Sequence, residues 1–178
     1  MSWKFLFKPL SESHKVTLRW IVVGMVTAVG ANLAAWFYWP RLDPVSDPIN
    51  RLLLAVQCCA GIGFVALVMM QGLWRLPDTP QAEDPLANAE SRRWKINQRV
   101  YTNTVEQALI FVPAYLALSI RMAPDMAHML PALMTIWCVG RLLFWGGYQY
   151  SLNARAIGMD WTTVTTMVTA GWLIVTLV

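Results

Sequence analysis

Five long apolar runs constrain this chain more than any other feature of its sequence. The runs contain at most one charged residue each and cover 20–39, 52–74, 100–120, 127–150 and 161–178. A helix of about 20 residues is long enough to cross the hydrocarbon core of a bilayer. The sequence therefore predicts an all-α integral membrane protein with five transmembrane helices.

The composition excludes several other classes of protein. Hydrophobic residues make up 57% of the chain and charged residues only 13%, whereas soluble domains contain about 45–50% and about 25%. A disordered chain, a collagen-like fibre and a nucleic-acid-binding protein are thereby excluded. The three cysteines, Cys58, Cys59 and Cys138, lie inside apolar runs, where a thiol acts as a small hydrophobic group. We therefore expect no metal site.

The basic residues predict the orientation in the membrane. The formal net charge is +4, and most of the cations stand at the ends of apolar runs. The N-terminus, the loop around 75–95 and the loop holding Arg155 fall on one side, and that side carries the excess of cations. By the positive-inside rule the N-terminus is cytoplasmic. The aromatic residues at 36–39 indicate that the first run is retained rather than cleaved as a signal peptide. We expect a bacterial inner membrane.

Two charged residues fall in the middle of predicted spans. They are Glu106 and Arg141. An unpaired charge at mid-bilayer costs at least about 2.5–3.5 kcal/mol, so such residues usually face the interior of a bundle or a hydrated cavity. We expect both to face the interior. A structural ion pair between the two helices is the alternative.

The spacing of polar residues predicts a pocket near the cytoplasmic side. On the third predicted helix one face carries Arg99, Asn103 and Glu106, and on the fourth a seven-residue spacing joins Arg141, Tyr148 and Arg155. This last spacing requires the fourth helix to continue through Asn153. Guanidinium groups bind carboxylates and a carboxylate binds an ammonium group. A ligand with two carboxylates and one amine would match.

These segments resemble the MAPEG family, the membrane-associated proteins in eicosanoid and glutathione metabolism. The resemblance covers 52–178, and its specific parts are an R-x-x-x-N-x-x-E element that begins at Arg99 and an R-x(6)-Y element that begins at Arg141. It implies a four-helix transmembrane bundle assembled as a homotrimer. It also implies that glutathione binds between neighbouring subunits near the cytoplasmic face.

The resemblance also implies roles for individual residues. The glutathione-binding positions of the family correspond to Arg99, Asn103, Glu106, Arg141 and Tyr148. Arg155 corresponds to a catalytic arginine that lowers the pKa of the bound thiol. Two positions depart from the family pattern: Phe144 stands where a conjugating member has tyrosine, and Tyr101 stands where relatives carry histidine or glutamine. Arg75 is a weak counterpart of a basic residue that ends the first helix of the family.

The chain has one helix more than the family. We therefore predict two parts, a basic N-terminus with an extra transmembrane helix over 1–47 and a MAPEG-like domain over 48–178. The extra helix presents a face of small residues with a polar residue beside it, formed by Gly24, Ala28, Ala31, Ala35 and Asn32. It could pack on its own trimer or recruit another membrane protein.

Three functions are compatible with the sequence. The first is a glutathione transferase or peroxidase acting on lipophilic electrophiles or lipid hydroperoxides. The second is a non-catalytic lipid-binding or accessory subunit of a membrane complex, since the family contains such a member. The third is a transporter in which Glu106 and Arg141 form a polar relay. Retention of the polar motif residues favours the enzyme.

Overall fold

The computed structural model describes residues 12–73 and 79–178, so that Arg75 lies outside the described residues. Five long helices form these ranges, and no strand occurs in them. The helices are α1 (Glu12–Tyr38), α2 (Pro48–Gln71), α3 (Arg92–Arg121), α4 (Met129–Tyr150) and α5 (Arg155–Leu177). Short 3-10 turns lie at Pro80–Glu83, Pro85–Ala87 and Pro124–Met126. The predicted fold, a helical membrane bundle with an additional N-terminal helix, is confirmed.

The helices differ in how apolar they are. Each of α1 to α4 is long and apolar enough to cross a membrane. At about 1.5 Å per residue, α5 is also long enough, but six threonines lower its hydropathy. Several of these hydroxyls donate to carbonyls one turn earlier, as Thr166 does to Thr162 and Thr169 does to Thr165. These hydroxyls are therefore satisfied within the helix. The chain is an integral membrane protein.

The ends of the helices lie outside the apolar runs because capping residues extend them. The Asp47 side chain accepts a hydrogen bond from the backbone N–H of Ile49 at the start of α2. The Ser91 hydroxyl accepts one from the N–H of Trp94 at the start of α3. Each cap satisfies one of the N–H groups that a helix start leaves free. As a result α3 begins eight residues before its apolar run.

Helices α4 and α5 approach each other closely at glycines. A Cβ atom on Gly158 would overlap the backbone N of Phe144 and lie 2.5 Å from the carbonyl oxygen of Gly140. A Cβ on Gly140 would lie 2.9 Å from the Cβ of Trp161. Small residues allow this approach of two backbones in a membrane. Gly158 and Asp160, residue types that often end and begin helices, both lie inside α5.

The extra helix packs on α5 of its own chain. Gly24, Ala28 and Ala35 are buried, and the side-chain amide of Asn32 donates to the hydroxyl of Thr165 at 3.2 Å. The predicted small-residue face and the interhelical role of Asn32 are confirmed. The opposite face of α1 is apolar and exposed, as lipid contact requires.

At the other end of the bundle a buried arginine closes a helix terminus. Arg51 is 5% exposed and donates to the carbonyl oxygens of Ser119 and Ile120 near the end of α3 and of Val45 and Ser46 in the preceding loop. A cation is favourable where the last carbonyls of a helix lack partners. Arg51, which lies in the first turn of α2, thus links this helix to the end of α3.

The contact between α4 and α5 generates a stability prediction. Gly158→Ala should lower the free energy of unfolding by at least about 1–3 kcal/mol, because the added Cβ meets backbone that cannot rotate away. Thermal unfolding of the protein in detergent measures this loss. Gly171→Ala on the same helix is the matched control, since a Cβ there meets nothing within 4 Å. Equal melting temperatures for the two variants would contradict the packing role of Gly158.

Candidate functional site

A cavity of about 480 Å³ opens where α1, α3 and α4 meet the start of α5. Sites for small ligands are usually clefts of about 300–1,000 Å³ with a few polar groups on apolar walls. The polar side chains that line this cavity are Thr17, Arg99, Asn103, Tyr148, Asn153, Arg155 and Asp160. Four of them were predicted from the sequence: Arg99, Asn103, Tyr148 and Arg155.

Arg155 reaches the cavity by a route that the sequence analysis did not predict. Helix α4 ends at Tyr150, and the Ser151 hydroxyl accepts a hydrogen bond from the N–H of Ala154 in the turn that follows. The expected continuation of the helix through Asn153 is therefore wrong. The turn instead returns the chain, and the Arg155 guanidinium carbon lies 4.7 Å from the centre of the Tyr148 ring.

The turn requires a glycine on α4. A Cβ on Gly147 would lie 2.7 Å from the carbonyl oxygen of Ala154. The backbone before Arg155 therefore packs directly on α4. This contact and the Arg155–Tyr148 contact fix the cationic end of the cavity.

Arg141 faces the interior of the bundle, as predicted. Its side chain is fully buried, and it donates to Thr104 Oγ1 at 3.1 Å and to Asn103 Oδ1 at 3.0 Å. A third contact reaches Thr162 Oγ1 at 3.5 Å, and the guanidinium carbon lies 4.3 Å from the centre of the Phe144 ring. Arg141 does not line the cavity itself, but it contacts two residues that do, Asn103 and Phe144.

Glu106, unlike Arg141, does not face the interior of the bundle. The residue is exposed on the outer face of α3, and its nearest polar contact is a 3.5 Å hydrogen bond from the Asn103 amide. The expectation that Glu106 faces the interior of this bundle is wrong, and so is the alternative of an ion pair with Arg141. The physical reason is that neutral side-chain oxygens satisfy Arg141. Glu106 lies two residues after the buried Thr104, which is a rotation of about 200° and places it on the opposite face of α3.

Arg99 stands at the mouth of the site. It is exposed and lines both the 480 Å³ cavity and an adjoining one of about 590 Å³. The second cavity is also lined by Arg92, Lys95 and Tyr148, and by one carboxylate, that of Glu90. Cations therefore outnumber the carboxylate at the approach to the candidate site, and a concentration of one charge sign attracts ligands of the other.

The sequence analysis missed three polar residues of the cavity wall, Thr17, Asn153 and Asp160. Thr17 on α1 donates to the side-chain oxygen of Asn153 at 3.0 Å, so the extra helix forms part of the wall. Asp160 also lines the cavity. Its spacing from Arg155 offered no signal, because five residues correspond to a rotation of about 140° around the helix.

A further polar residue that the sequence analysis missed, Asn97 on α3, holds α4 and the end of α2 by hydrogen bonds near the site. Asn97 accepts hydrogen bonds from Trp145 Nε1 at 2.9 Å and Gln149 Nε2 at 2.8 Å, and it donates to the carbonyl of Gly72. Trp145 and Gln149 thereby tie α4 to α3 beside the cavity. The indoles of Trp94 and Trp161 donate to the carbonyl of Leu73 and to the hydroxyl of Thr27.

Comparison with known proteins agrees with this architecture, a helical membrane bundle with a basic cavity at one end. The model of the MAPEG family matches residues 52–175. The match covers most of the chain and includes α2 to α5, so the protein belongs to the MAPEG family, whose members are generally associated with glutathione. The extra helix α1 precedes the matched region. No curated protein and no solved structure gave a match.

The hydrogen bonds of Arg141 generate a prediction that compares two threonines. Thr104→Val should lower the free energy of unfolding by about 1–3 kcal/mol, because it leaves a buried guanidinium N–H without a partner. Thr162→Val should cost clearly less, since its contact with Arg141 is 3.5 Å long. Chemical unfolding in detergent measures both. A larger loss for Thr162→Val would reverse the assigned order of the two contacts.

Proposed function

We propose that this protein is a glutathione-dependent transferase or peroxidase that acts on lipophilic electrophiles or lipid hydroperoxides within the membrane. The observation that carries the proposal is the meeting of Arg99, Tyr148 and Arg155 in one cavity of a MAPEG family member. These residues come from α3, α4 and α5, so the arrangement depends on the fold rather than on a local segment.

The residues present fit glutathione, which has two carboxylates, one ammonium group and a thiol. Two guanidinium groups, those of Arg99 and Arg155, line the cavity and suit carboxylates or a thiolate. The Tyr148 hydroxyl and the Asn103 amide add neutral hydrogen-bonding groups. Because Arg141 donates to Asn103 Oδ1, it fixes the orientation of this amide. We assign Arg141 to ligand binding through Asn103.

Arg155 is the proposed catalytic residue. A cation next to a thiol favours the thiolate, and the thiolate is the nucleophile in conjugation and in peroxide reduction. The guanidinium of Arg155 rests on the face of Tyr148, which holds it at the wall of the cavity. Its proposed task is to stabilise negative charge on the sulfur of a glutathione bound beside it.

The second substrate would arrive from the bilayer. Apolar side chains, among them Ile21, Phe144, Leu152 and Met159, complete the cavity walls. Such walls suit a lipophilic electrophile or hydroperoxide, while the basic residues of the mouth suit the peptide. We assign this basic end to the cytoplasmic side of a bacterial inner membrane by the positive-inside rule, with the N-terminus also cytoplasmic.

We propose that the protein assembles as a homotrimer, with residues 48–178 as the assembling domain and 1–47 as an added segment. Glu106 supports this, because a carboxylate exposed on α3 among the exposed apolar residues Val105, Leu109 and Ile110 would be costly in lipid. A neighbouring subunit would cover it and bring it to the ligand. Native mass measurement should give three copies, and a monomer or dimer would contradict this assembly.

A non-catalytic accessory subunit is the second candidate. The observation that favours it is Phe144, which contacts Arg141 through its ring and offers no hydroxyl to the cavity. The transporter alternative lost its basis, since Glu106 lies outside the bundle and Arg141 is bonded to neutral groups. Turnover with electrophiles or hydroperoxides separates the enzyme from the accessory subunit.

Binding of glutathione tests the proposed site. Arg99→Ala and Glu106→Gln should each weaken binding about tenfold or more, because loss of a hydrogen bond to a charged group costs about 1.5–3 kcal/mol. Calorimetric titration of the purified trimer measures the affinities. Arg121→Ala, at the opposite end of α3, should leave affinity unchanged. Wild-type affinity in both test variants would reject the assigned binding residues.

Ionisation of the thiol tests the catalytic role of Arg155. Arg155→Ala should raise the pKa of bound glutathione thiol, by an amount comparable to the about 1–3 pKa units that a neighbouring cation exerts on a carboxylate. Conjugation near neutral pH should slow much more than binding weakens. Ultraviolet absorbance of the thiolate against pH measures the change, with Arg93→Ala as a control on the same side. An unchanged pKa and rate would leave Arg155 as a topology-setting charge.

A further inference from the structure

The extra helix α1 contacts the turn that precedes Arg155. The Thr17 hydroxyl on α1 lies 3.0 Å from the side-chain oxygen of Asn153, and both residues line the 480 Å³ cavity. The same hydroxyl lies 3.0 Å from the carbonyl oxygen of Ser13. A hydroxyl carries one proton, whereas the amide of an asparagine can donate or accept. The side chains of Thr17 and Asn153 are therefore joined by a hydrogen bond whichever of them donates.

This hydrogen bond acts on the start of α5. The backbone carbonyl of Asn153 accepts a hydrogen bond from the N–H of Ala156 at 3.0 Å, so Asn153 belongs to the first turn of the helix that Arg155 begins. Within the described part of the chain, Thr17 is the hydrogen-bond partner of the Asn153 side chain. Fixing this side chain therefore restrains the backbone two residues before Arg155.

Helix α1 is also held in place by contacts that do not involve Thr17. Further along the helix, Thr27 accepts a hydrogen bond from Trp161 Nε1 at 3.0 Å, and the Asn32 amide donates to the Thr165 hydroxyl at 3.2 Å. Both partners lie on α5, well after the turn. Loss of the Thr17 hydroxyl should therefore leave α1 docked and affect the turn alone.

The position of Arg155 matters because the effect of a cation on a thiol depends on the distance between them. The Coulomb energy varies inversely with that distance, and a cation held next to a thiol favours the thiolate. The guanidinium of Arg155 rests on Tyr148, while the turn sets the position of its backbone. A contact that restrains the turn therefore also restrains the distance from the guanidinium to a sulfur bound beside it.

We propose that α1 is part of the catalytic site and that Thr17, acting through Asn153, is a positioning residue for Arg155. This inference rests on the proposed function, because it concerns the distance between Arg155 and the sulfur of glutathione. It assigns a role to a helix that lies outside the matched family region. The contact joins residues of one chain, so it is compatible with a ligand site that a neighbouring subunit completes.

The test removes the Thr17 hydroxyl in the full-length protein. Thr17→Val should raise the pKa of the bound glutathione thiol by about 0.5–1 unit, which is part of the effect expected for Arg155→Ala. At a pH below this pKa turnover should slow about threefold to tenfold, because the thiolate fraction falls tenfold for each unit. Affinity for glutathione should stay close to that of the wild type. Thiolate absorbance, the conjugation rate and calorimetric titration measure these quantities.

Two further threonine variants separate positioning from docking of the helix. Thr17→Ser keeps the hydroxyl and should restore the wild-type pKa and rate. Thr27→Val is the matched control, because Thr27 also joins α1 to α5 through its hydroxyl but contacts Trp161 rather than the turn; it should change neither quantity. Equal shifts in Thr17→Val and Thr27→Val would overturn the positioning role. A loss of glutathione affinity in Thr17→Val as large as the loss of rate would overturn it too, since Thr17 would then be a ligand contact.

A variant of Asn153 tests the same hydrogen bond from its other side. Asn153→Ala should raise the thiol pKa as Thr17→Val does, and the double variant should show no further rise, because both changes remove one interaction. Additive shifts would contradict the coupling of the two residues.

The remaining outcomes separate this inference from the proposed function. If the wild type binds no glutathione, or binds it without a thiolate that depends on Arg155, the proposed function fails and the positioning role fails with it. If Arg155→Ala raises the thiol pKa but neither Thr17→Val nor Asn153→Ala does, the proposed function stands and only the positioning role is rejected.

Discussion

A guanidinium group buried inside an apolar bundle must find hydrogen-bond acceptors, and much of this structure follows from how Arg141 finds them. Its partners come from two neighbouring helices, Thr104 and Asn103 on α3 and Thr162 on α5. Because no water is available in the bilayer core, each partner has to be supplied by the protein. The three helices are thereby held in one register at the level of the candidate site.

Glycine contacts set the second constraint, the distance between α4 and α5. Gly140 and Gly158 let the two backbones touch, and Gly147 lets the turn after α4 fold flat against it. This close packing brings Arg155, which follows the turn, back beside Tyr148. The cationic end of the cavity is thus a product of backbone packing, and a larger side chain at any of the three glycines would move it.

The helices and part of the site could be predicted from the sequence. Whether the position of a residue was predictable depended on which interaction determines it. Long apolar runs identify spans regardless of tertiary contacts, and the interior position of Arg141 follows from the cost of its charge. The position of Glu106 could not be predicted in the same way, because a charge tolerates exposure if another subunit covers it. Asp160 was missed because its surroundings depend on α1, which is more than a hundred residues away in the chain.

The neutrality of the partners of Arg141 has an electrostatic consequence. Among the described residues no carboxylate touches this guanidinium, so hydrogen bonds stabilise its positive charge without cancelling it. In an apolar interior of low permittivity such a charge interacts more strongly at a given distance than it would in water. The cavity lies one residue away, behind Asn103 and Phe144, so Arg141 makes a positive contribution to its potential whether or not a ligand touches this residue. An anion entering it would be attracted from a distance, much as an ion is drawn to a fixed counter-charge in a membrane pore.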